Sequence, residues 1–304
     1  MEEKINSVHK TVLLNETVDG LNLHDGSIVV DGTFGGGGHS ALICKKFPKV
    51  TIIAIDQDKG AFKKAESKFQ DLNCKVLFNN NNFRKIDTVL EKESIKEVHG
   101  IILDLGLSSD QLENSGRGFS FMKDEPLLMT MKENPSPEDL TVRDIVNTWG
   151  EENLANIIYG YGEEQFSKRI AKGIVEARKV AEIKTTFDLV KIIQDSVPNL
   201  YKKGRINCAT KTFQALRIAV NDELGALSQG LTKGIEALKK GGRMSVISFH
   251  SLEDRIVKRF FKEKEKEGII KIITKRPIVG SDKEIKENPR SRSAKLRIIE
   301  RCQA

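Results

Sequence analysis

Cysteine is scarce in this chain. Cys44, Cys74, Cys208 and Cys302 are scattered through 304 residues, with no C-x-x-C and no histidine at ligand-like spacing. Such spacing argues against a zinc site and against a disulfide framework, so all four are read as ordinary thiols and no metal is expected. Long apolar runs are also missing: none reaches the ~18–20 residues a membrane span needs. The opening MEEKINS has neither a basic–apolar signal plan nor Arg-rich transit character. The expectation is a cytoplasmic protein without a membrane partner. Internal repeats are absent, and the loop-like stretches rich in Pro, Ser and charge reduce to KENPSPED and VGSDKEIKENPRSRS.

Charge, by contrast, is plentiful and unevenly placed. Hydrophobic residues make up 38% and charged residues 31%, the balance of a soluble globular chain long enough for two domains or one with an insertion. Asp104–Phe166 holds 13 acidic and 4 basic residues, a net of −9, whereas Ser167–Arg217 holds 12 basic and 4 acidic, a net of +8. Lys271–Ala304 adds 10 basic against 4 acidic, a net of +6. The segregation points to a polyanionic partner, with solvated helix faces as the plain alternative.

Apolar, β-branched runs alternate with helical patterns over the first hundred residues. SIVVDGTF, VTIIAID, KVLFNN and GIILDLGLSS read as buried strands, the second ending at Asp56 and the fourth at Asp104. SALICKKF, KGAFKKAESKFQ and FRKIDTVLEKESI read as the helices between them, with Phe62, Ala65 and Phe69 on one face. Buried strands joined by helices predict a doubly wound parallel sheet, hence an α/β class. From about residue 111 to 210 only helical periodicity remains, with Thr141 and Thr186 as capping candidates. KTFQALRIAVNDELGALSQGLTKGIEAL then reads as one or two helices and GGRMSVISF as a strand after a Gly-Gly stop. A helix capped by Ser251 reaching to Asp254 follows, and AKLRIIER closes the sheet. The expected domains are therefore 1–110 with 211–304, and a helical insertion 111–210.

Four glycines follow the first strand in DGTFGGGGHS. In an open parallel sheet a ligand sits at the carboxyl ends of strands, and the glycines, Asp56 and Asp104 all fall there. Gly35 and Asp56 are about 20 residues apart, the distance at which an acidic residue meets the ribose hydroxyls of an adenosine. G-x-G-x-x-G is matched only from Gly36, with Ala41 in the third place, so a dinucleotide remains open. S-adenosylmethionine fits the acidic strand ends Asp31 and Asp104 better, because it carries a sulfonium and an amino group and no pyrophosphate. A flexible loop is the plain alternative for the glycines.

The motifs KTVLLNE, DGTFGGGGHS, AIDQD, ILDLGLSSDQL, RGFSF, YGEEQFSKRIAKGIV, TKTFQALRIAVNDEL, GGRMSVISFHSLEDRIVKRFF and NPRSRSAKLRIIER occur together and in order. This ordered set closely resembles the bacterial small-subunit rRNA cytosine-N4 methyltransferase family, from Lys10 to Arg301. The resemblance implies a class I methyltransferase fold with a helical insertion that recognises rRNA. It implies S-adenosylmethionine as cofactor, and methylation of a cytidine in the decoding centre of 16S rRNA. Cofactor-binding positions carry over to Gly37, Gly38, His39, Asp56, Phe83, Asp104 and Gln111. Asp56 would take the ribose, Phe83 would lie near the adenine, and Gly37 to His39 would let the backbone approach the methionine portion. The partners implied are 16S rRNA within the small ribosomal subunit and a second copy in a homodimer.

Some positions depart from the family pattern. PLLMTMK at Pro126–Lys132 stands where the family usually reads Pro-Leu-Asp-Met-Arg-Met-Asp, so Leu128, Thr130 and Lys132 replace charged residues. Asn207 and Cys208 replace His-Pro, and Lys211 replaces Arg. No role is carried to Leu128, Thr130, Lys132 or Asn207.

For chemistry, Asp104 is the candidate acceptor for the amine hydrogens, with cofactor binding alone as its other reading. Arg117 and Phe119 of GRGFSF, with Phe121, are candidates for stacking on an unstacked base, or else core. His250 follows the last parallel strand and is read as structural or catalytic. An oxidoreductase and a non-catalytic RNA-assembly factor are the rival functions.

Overall fold

The computed structural model describes residues 10–302. They form two compact units, one reaching Gly106 and resuming at Leu224, the other Leu107–Glu223.

The first unit is built on seven strands: β1 (Ile28–Asp31), β2 (Thr51–Asp56), β3 (Lys75–Asn80), β4 (Val98–Asp104), β5 (Leu238–Ser248), β6 (Ile270–Ile272) and β7 (Lys295–Arg301). Their order is β3-β2-β1-β4-β5-β7-β6. The first five are parallel, and β7 runs antiparallel between β5 and β6. The α/β doubly wound class expected from the sequence is therefore present. Val29, Val30 and Ile52–Ile55 are fully enclosed because helices cover both faces, which is why these strands carry no polar alternation.

Several elements differ from expectation. β6, only three residues long, is too short for periodicity to reveal. The Gly-Gly pair is not a stop: Gly241 (φ +75) and Gly242 lie inside β5, where its register against β4 shifts between Val98 and Gly100. A Cβ on Gly242 would press on the carbonyls of Val98 and His99, so glycine marks a bulge. KGAFKKAESKFQ is helical only over Lys59–Ala65 and tightens into a 3₁₀ turn at Glu66–Phe69, with Phe62, Ala65 and Phe69 buried as expected. The cap expected from Ser251 to Asp254 lies one residue earlier. His250 Nδ1 accepts from Glu253 N, and the Glu253 carboxylate accepts from His250 N, ahead of helix Ser251–Lys266. Thr185 likewise caps helix Thr186–Ser196 in place of Thr186, while Thr141 caps Val142–Thr148 as expected.

Cys44 and Cys74, read from the sequence as separate thiols, are joined by a disulfide. Helix Gly38–Lys46 brings Cys44 beside the residue that leads into β3, a proximity that only the folded chain creates. Cys208 and Cys302 are free thiols.

The regular structure of the second unit is helical, with irregular chain over 115–141 and an isolated bridge, Pro126 to Thr185. Ile145, Leu154, Ile170, Ile174, Leu189 and Leu216 meet in its core. The expected insertion 111–210 ends too early. Helix Thr210–Asn221 belongs to this unit because Phe213 and Leu216 enter the same core, and the unit begins at Leu107. No helix among the described residues is long and apolar enough to cross a membrane.

Candidate active site

β1 lies between β2 and β4, and the connections leave it in opposite directions. The carboxyl ends of these three strands thus frame a topological switch point. Each ends in an aspartate: Asp31, Asp56 and Asp104.

The glycine loop hangs on these carboxylates. Asp56 Oδ2 accepts from Gly35 N at 2.7 Å, and Oδ1 accepts from Asp58 N at 2.8 Å. Burial still raises Asp56 to about 6 against those bonds. Asp31 Oδ2 accepts from the Ser40 hydroxyl at 2.6 Å, which ties the start of helix Gly38–Lys46 to the end of β1. Its carboxyl is likewise raised by burial to about 6. The Thr33 hydroxyl accepts from Asp104 N at 2.6 Å.

Asp104 is the least satisfied of the three. Oδ2 lies 3.8 Å from His39 Nδ1, and the side chain keeps 23% of its exposure. Oδ1, however, is buried and has no hydrogen-bond partner among the described residues. Burial, then the charge of Asp31, raises its pKa to about 8, with Arg290 opposing and Glu253 adding.

Gly35 (φ 49) and Gly37 (φ 69) occupy the left-handed region that glycine tolerates. A Cβ on Gly37 would meet the rings of Phe34 and Phe69 at 2.8 and 3.0 Å, and one on Gly38 would overlap the Thr11 hydroxyl. Both residues therefore back onto protein. Gly36 alone of this trio opens outward, with only Lys68 Nζ at 3.8 Å. The family resemblance places the approach of the backbone to the methionine portion at Gly37 to His39. In the fold the turning residues are Gly35 and Gly37, and Gly38 is packed.

Phe83 sits in a 3₁₀ turn after β3. A Cβ on Gly230 would meet its ring at 2.5 Å, and one on Gly32 would meet its Cβ at 3.1 Å. Two bare glycines thus seat this aromatic residue at the carboxyl end of β1. Asp31, Asp56, Asp104, His39 and Phe83 all belong to this first unit.

Gln111, Arg117 and Phe119 lie in the second unit. Gln111 Oε1 accepts from Ser108 N at 3.0 Å and closes the capping box of helix Ser109–Asn114. Arg117 and Phe119 are not presented to a base. Arg117 is buried and donates to the carbonyls of Thr130 and Met131 at 3.1 and 2.9 Å, its guanidinium 5.4 Å from the Phe119 ring centre. Phe119 is 6% exposed in the helical core. The apolar demand of that core outweighs the stacking role read from the loop. Phe121 packs edge-on against Phe213. In the altered PLLMTMK segment Thr130 is buried and Lys132 pairs with Asp139.

The sequence reading missed Thr33, Ser40 and Thr11, which hold Asp104, Asp31 and Gly38 in place. The first two sit inside the quoted glycine motif, and that position was their only signal. Arg290, within the basic segment Lys271–Ala304, acts electrostatically on Asp104.

Comparison with known proteins gives a consistent set of likenesses. The chain matches the MraW methylase family over residues 6–302. Ribosomal RNA small subunit methyltransferase H of Persephonella marina (strain DSM 14350 / EX-H1) is 46% identical over 293 residues, covering 96% of this chain and 99% of that protein. The protein of the same name from Clostridium botulinum (strain Kyoto / Type A2) is 47% identical over 306 residues, covering 95% and 97%. The crystal structure of an rRNA methylase from Streptococcus thermophilus aligns with 97% of this chain and 98% of its own. Its TM-score is 0.45 at 12% identity, too slight a likeness to argue from.

Proposed function

The chain belongs to the MraW methylase family, and from that premise we propose that it is an S-adenosylmethionine-dependent rRNA (cytosine-N4) methyltransferase. Its relatives' name, ribosomal RNA small subunit methyltransferase H, supplies the substrate class. The finer target is a cytidine of the decoding centre in 16S rRNA. The protein would work in the cytoplasm, as a homodimer.

The observation that carries the reading is the buried Oδ1 of Asp104, which has no hydrogen-bond partner among the described residues and feels the charge of Asp31 at the next strand end. An unsatisfied buried acceptor costs roughly 1–3 kcal/mol. A ligand with a sulfonium and an ammonium group relieves that cost, whereas a dinucleotide brings phosphates towards three carboxylates. The donor set therefore fits S-adenosylmethionine.

Asp56 would receive the ribose hydroxyls with the lone pairs its loop contacts leave free. Phe83 would flank the adenine. The backbone of Gly36–His39 would lie along the methionine portion, where Gly36 is open. Gln111 belongs to the helical unit, where its Oε1 closes a helix cap. When bound, the cofactor supplies an electrophilic methyl group. The N4 amine of cytosine is a weak nucleophile, since its lone pair is delocalised, and the protein's task is orientation, worth several kcal/mol. Asp104 Oδ1 would accept an amine hydrogen as the nitrogen pyramidalises. The base must leave its stack to reach this position. The helical unit would recognise the rRNA, with the basic run Ser167–Arg217 and the NPRSRSAKLR tail on phosphates.

Small ribosomal subunits lacking the modification, incubated with labelled S-adenosylmethionine, test this reading. Label on N4 of one decoding-centre cytidine is expected. No incorporation overturns the enzyme reading, and label at another nucleotide overturns the decoding-centre target.

A further inference from the structure

The segment Pro198–Lys211 contains Lys202, Lys203, Arg205 and Lys211 and no carboxylate. Two large aliphatic side chains stand out from it, Leu200 at 85% exposure and Ile206 at 59%. A single exposed aliphatic residue needs no explanation. Two of them interleaved with cations on one short tip do, because the tip is held firmly and has not merely frayed. At its root the Tyr201 hydroxyl donates to Glu164 Oε2 at 2.5 Å, and the Tyr201 ring stands edge-on to Phe166, centres 4.8 Å apart. Gly204 N donates to the Tyr201 carbonyl at 3.1 Å. Asn207 Oδ1 accepts from Ala209 N at 2.9 Å, where Cys208 and Ala209 are buried in the helical core.

The charge on the tip is not neutralised from below. Glu164 is fully buried, and its carboxylate is taken up by Tyr201 and by Phe166 N at 2.9 Å. Asp195, which feels Lys202, is paired with Lys191 at 2.7 Å. No ion pair joins Lys202, Lys203 or Arg205 to a carboxylate among the described residues. A further cation stands at the root, where the Arg169 guanidinium lies 5.9 Å from the Phe166 ring centre.

We propose that this tip, residues 199–206, is an RNA-docking finger of the helical unit, on which Lys202, Lys203 and Arg205 meet phosphates and Leu200 and Ile206 lie against exposed bases. Cations supply salt-dependent affinity, and apolar side chains pack on base faces where the strand is unpaired. The single helical turn Asn199–Lys202 is too short to form the amphipathic face a membrane surface requires. The proposal rests on the rRNA reading above and locates one of its contact surfaces.

The test uses the full-length protein and a labelled RNA hairpin with an unpaired loop, with affinity read by fluorescence anisotropy between about 50 and 200 mM salt, concentrations chosen for the counterion effect. K202E/K203E/R205E should weaken binding tenfold or more and lower the salt slope by about two to three, since each phosphate no longer neutralised accounts for ~0.7–0.9 of it. L200S/I206S should weaken binding severalfold and leave the slope unchanged. Both variants should keep wild-type S-adenosylmethionine affinity and melting temperature. If the wild-type protein binds RNA and the triple variant matches its affinity and slope, the finger alone is overturned, and the tip points to a protein partner. A wild-type protein that binds cofactor but no RNA overturns the rRNA reading with it. Loss of cofactor affinity together with RNA affinity in the charge-neutral K202Q/K203Q/R205Q would show a role in the fold and also overturn the proposal.

Discussion

At the scale of single residues, Asp104 couples protonation to ligand binding. Burial and the neighbouring Asp31 raise its carboxyl to about 8, so at pH 7 the free protein holds it largely protonated. A cationic ligand favours the ionised form, and its binding must then release a proton. S-adenosylmethionine affinity should therefore fall as pH drops below about 8, approaching tenfold per unit, by calorimetry across a pH series. Asp104→Asn should flatten that dependence; an unchanged slope in the variant would show that another group titrates. If the variant retains affinity but loses turnover, Asp104 acts on the amine, whereas lost affinity confines it to the cofactor. The glycines make a second prediction. Gly38→Ala drives a methyl group into Thr11 and should cost about 1–3 kcal/mol by chemical denaturation. Thr11→Ala in the same chain should recover most of that stability, as expected of residues in direct contact. Gly36→Ala, with open space around its Cβ, should leave stability unchanged and weaken cofactor binding.

Among the elements, the disulfide fastens helix Gly38–Lys46, whose first turn carries His39 and Ser40, to the residue that leads into β3. The two cysteines are 30 apart in sequence. In the chain-entropy account such a loop contributes up to about 3–4 kcal/mol. Reductant should lower the melting temperature of the wild-type protein and leave Cys74→Ser unaffected; equal melting with and without reductant would refute the contribution. This bond was not legible in the sequence, because pairing is a property of the folded sheet edge and four scattered cysteines carry no spacing signal. The parallel strands were legible, since an uninterrupted run such as Thr51–Asp56 has few other uses in a chain that alternates it with helices. Their terminal aspartates were legible for the same reason: polarity at the end of an apolar strand marks the carboxyl edge. The roles of individual glycines were not, because what a Cβ would strike depends on Thr11 and Phe69, remote in sequence. The same limit misplaced Arg117 and Phe119. A loop pattern of Arg and Phe reads alike whether the rings face water or, as here, a core that includes Leu216 and Ile145.

For the molecule as a whole, the three strand-end carboxylates make a site built for a cation unfavourable to leave ionised. Asp31 and Asp56 at about 6 and Asp104 at about 8 all lie above the ordinary 3.8. A carboxyl whose pKa is raised by folding binds more protons folded than unfolded, so its contribution is complete below the unfolded pKa and is lost as pH rises through the folded one. Asp254 behaves oppositely: burial opposes its charge, but bonds from Arg297 and Lys295 outweigh it and lower its pKa, so its contribution disappears only as pH falls below 3.8. His99, whose pKa burial lowers from 6.5, loses its contribution as pH falls into the acid range, one half-buried group against three raised carboxyls. The three raised carboxyls lose stability upward from 3.8 and outweigh His99 where the windows overlap, while Asp254 acts only below 3.8, so stability of the ligand-free protein should peak near pH 4 and decline towards pH 8. S-adenosylmethionine reverses the decline where the carboxylates are ionised and ready to receive it. At saturating ligand the rise in melting temperature should be larger at pH 8 than at pH 5, by scanning calorimetry at matched ionic strength. A ligand-free melting temperature that climbs from pH 5 to pH 8 would mean that these carboxyls titrate normally, and that the cation site is wetter than its geometry indicates.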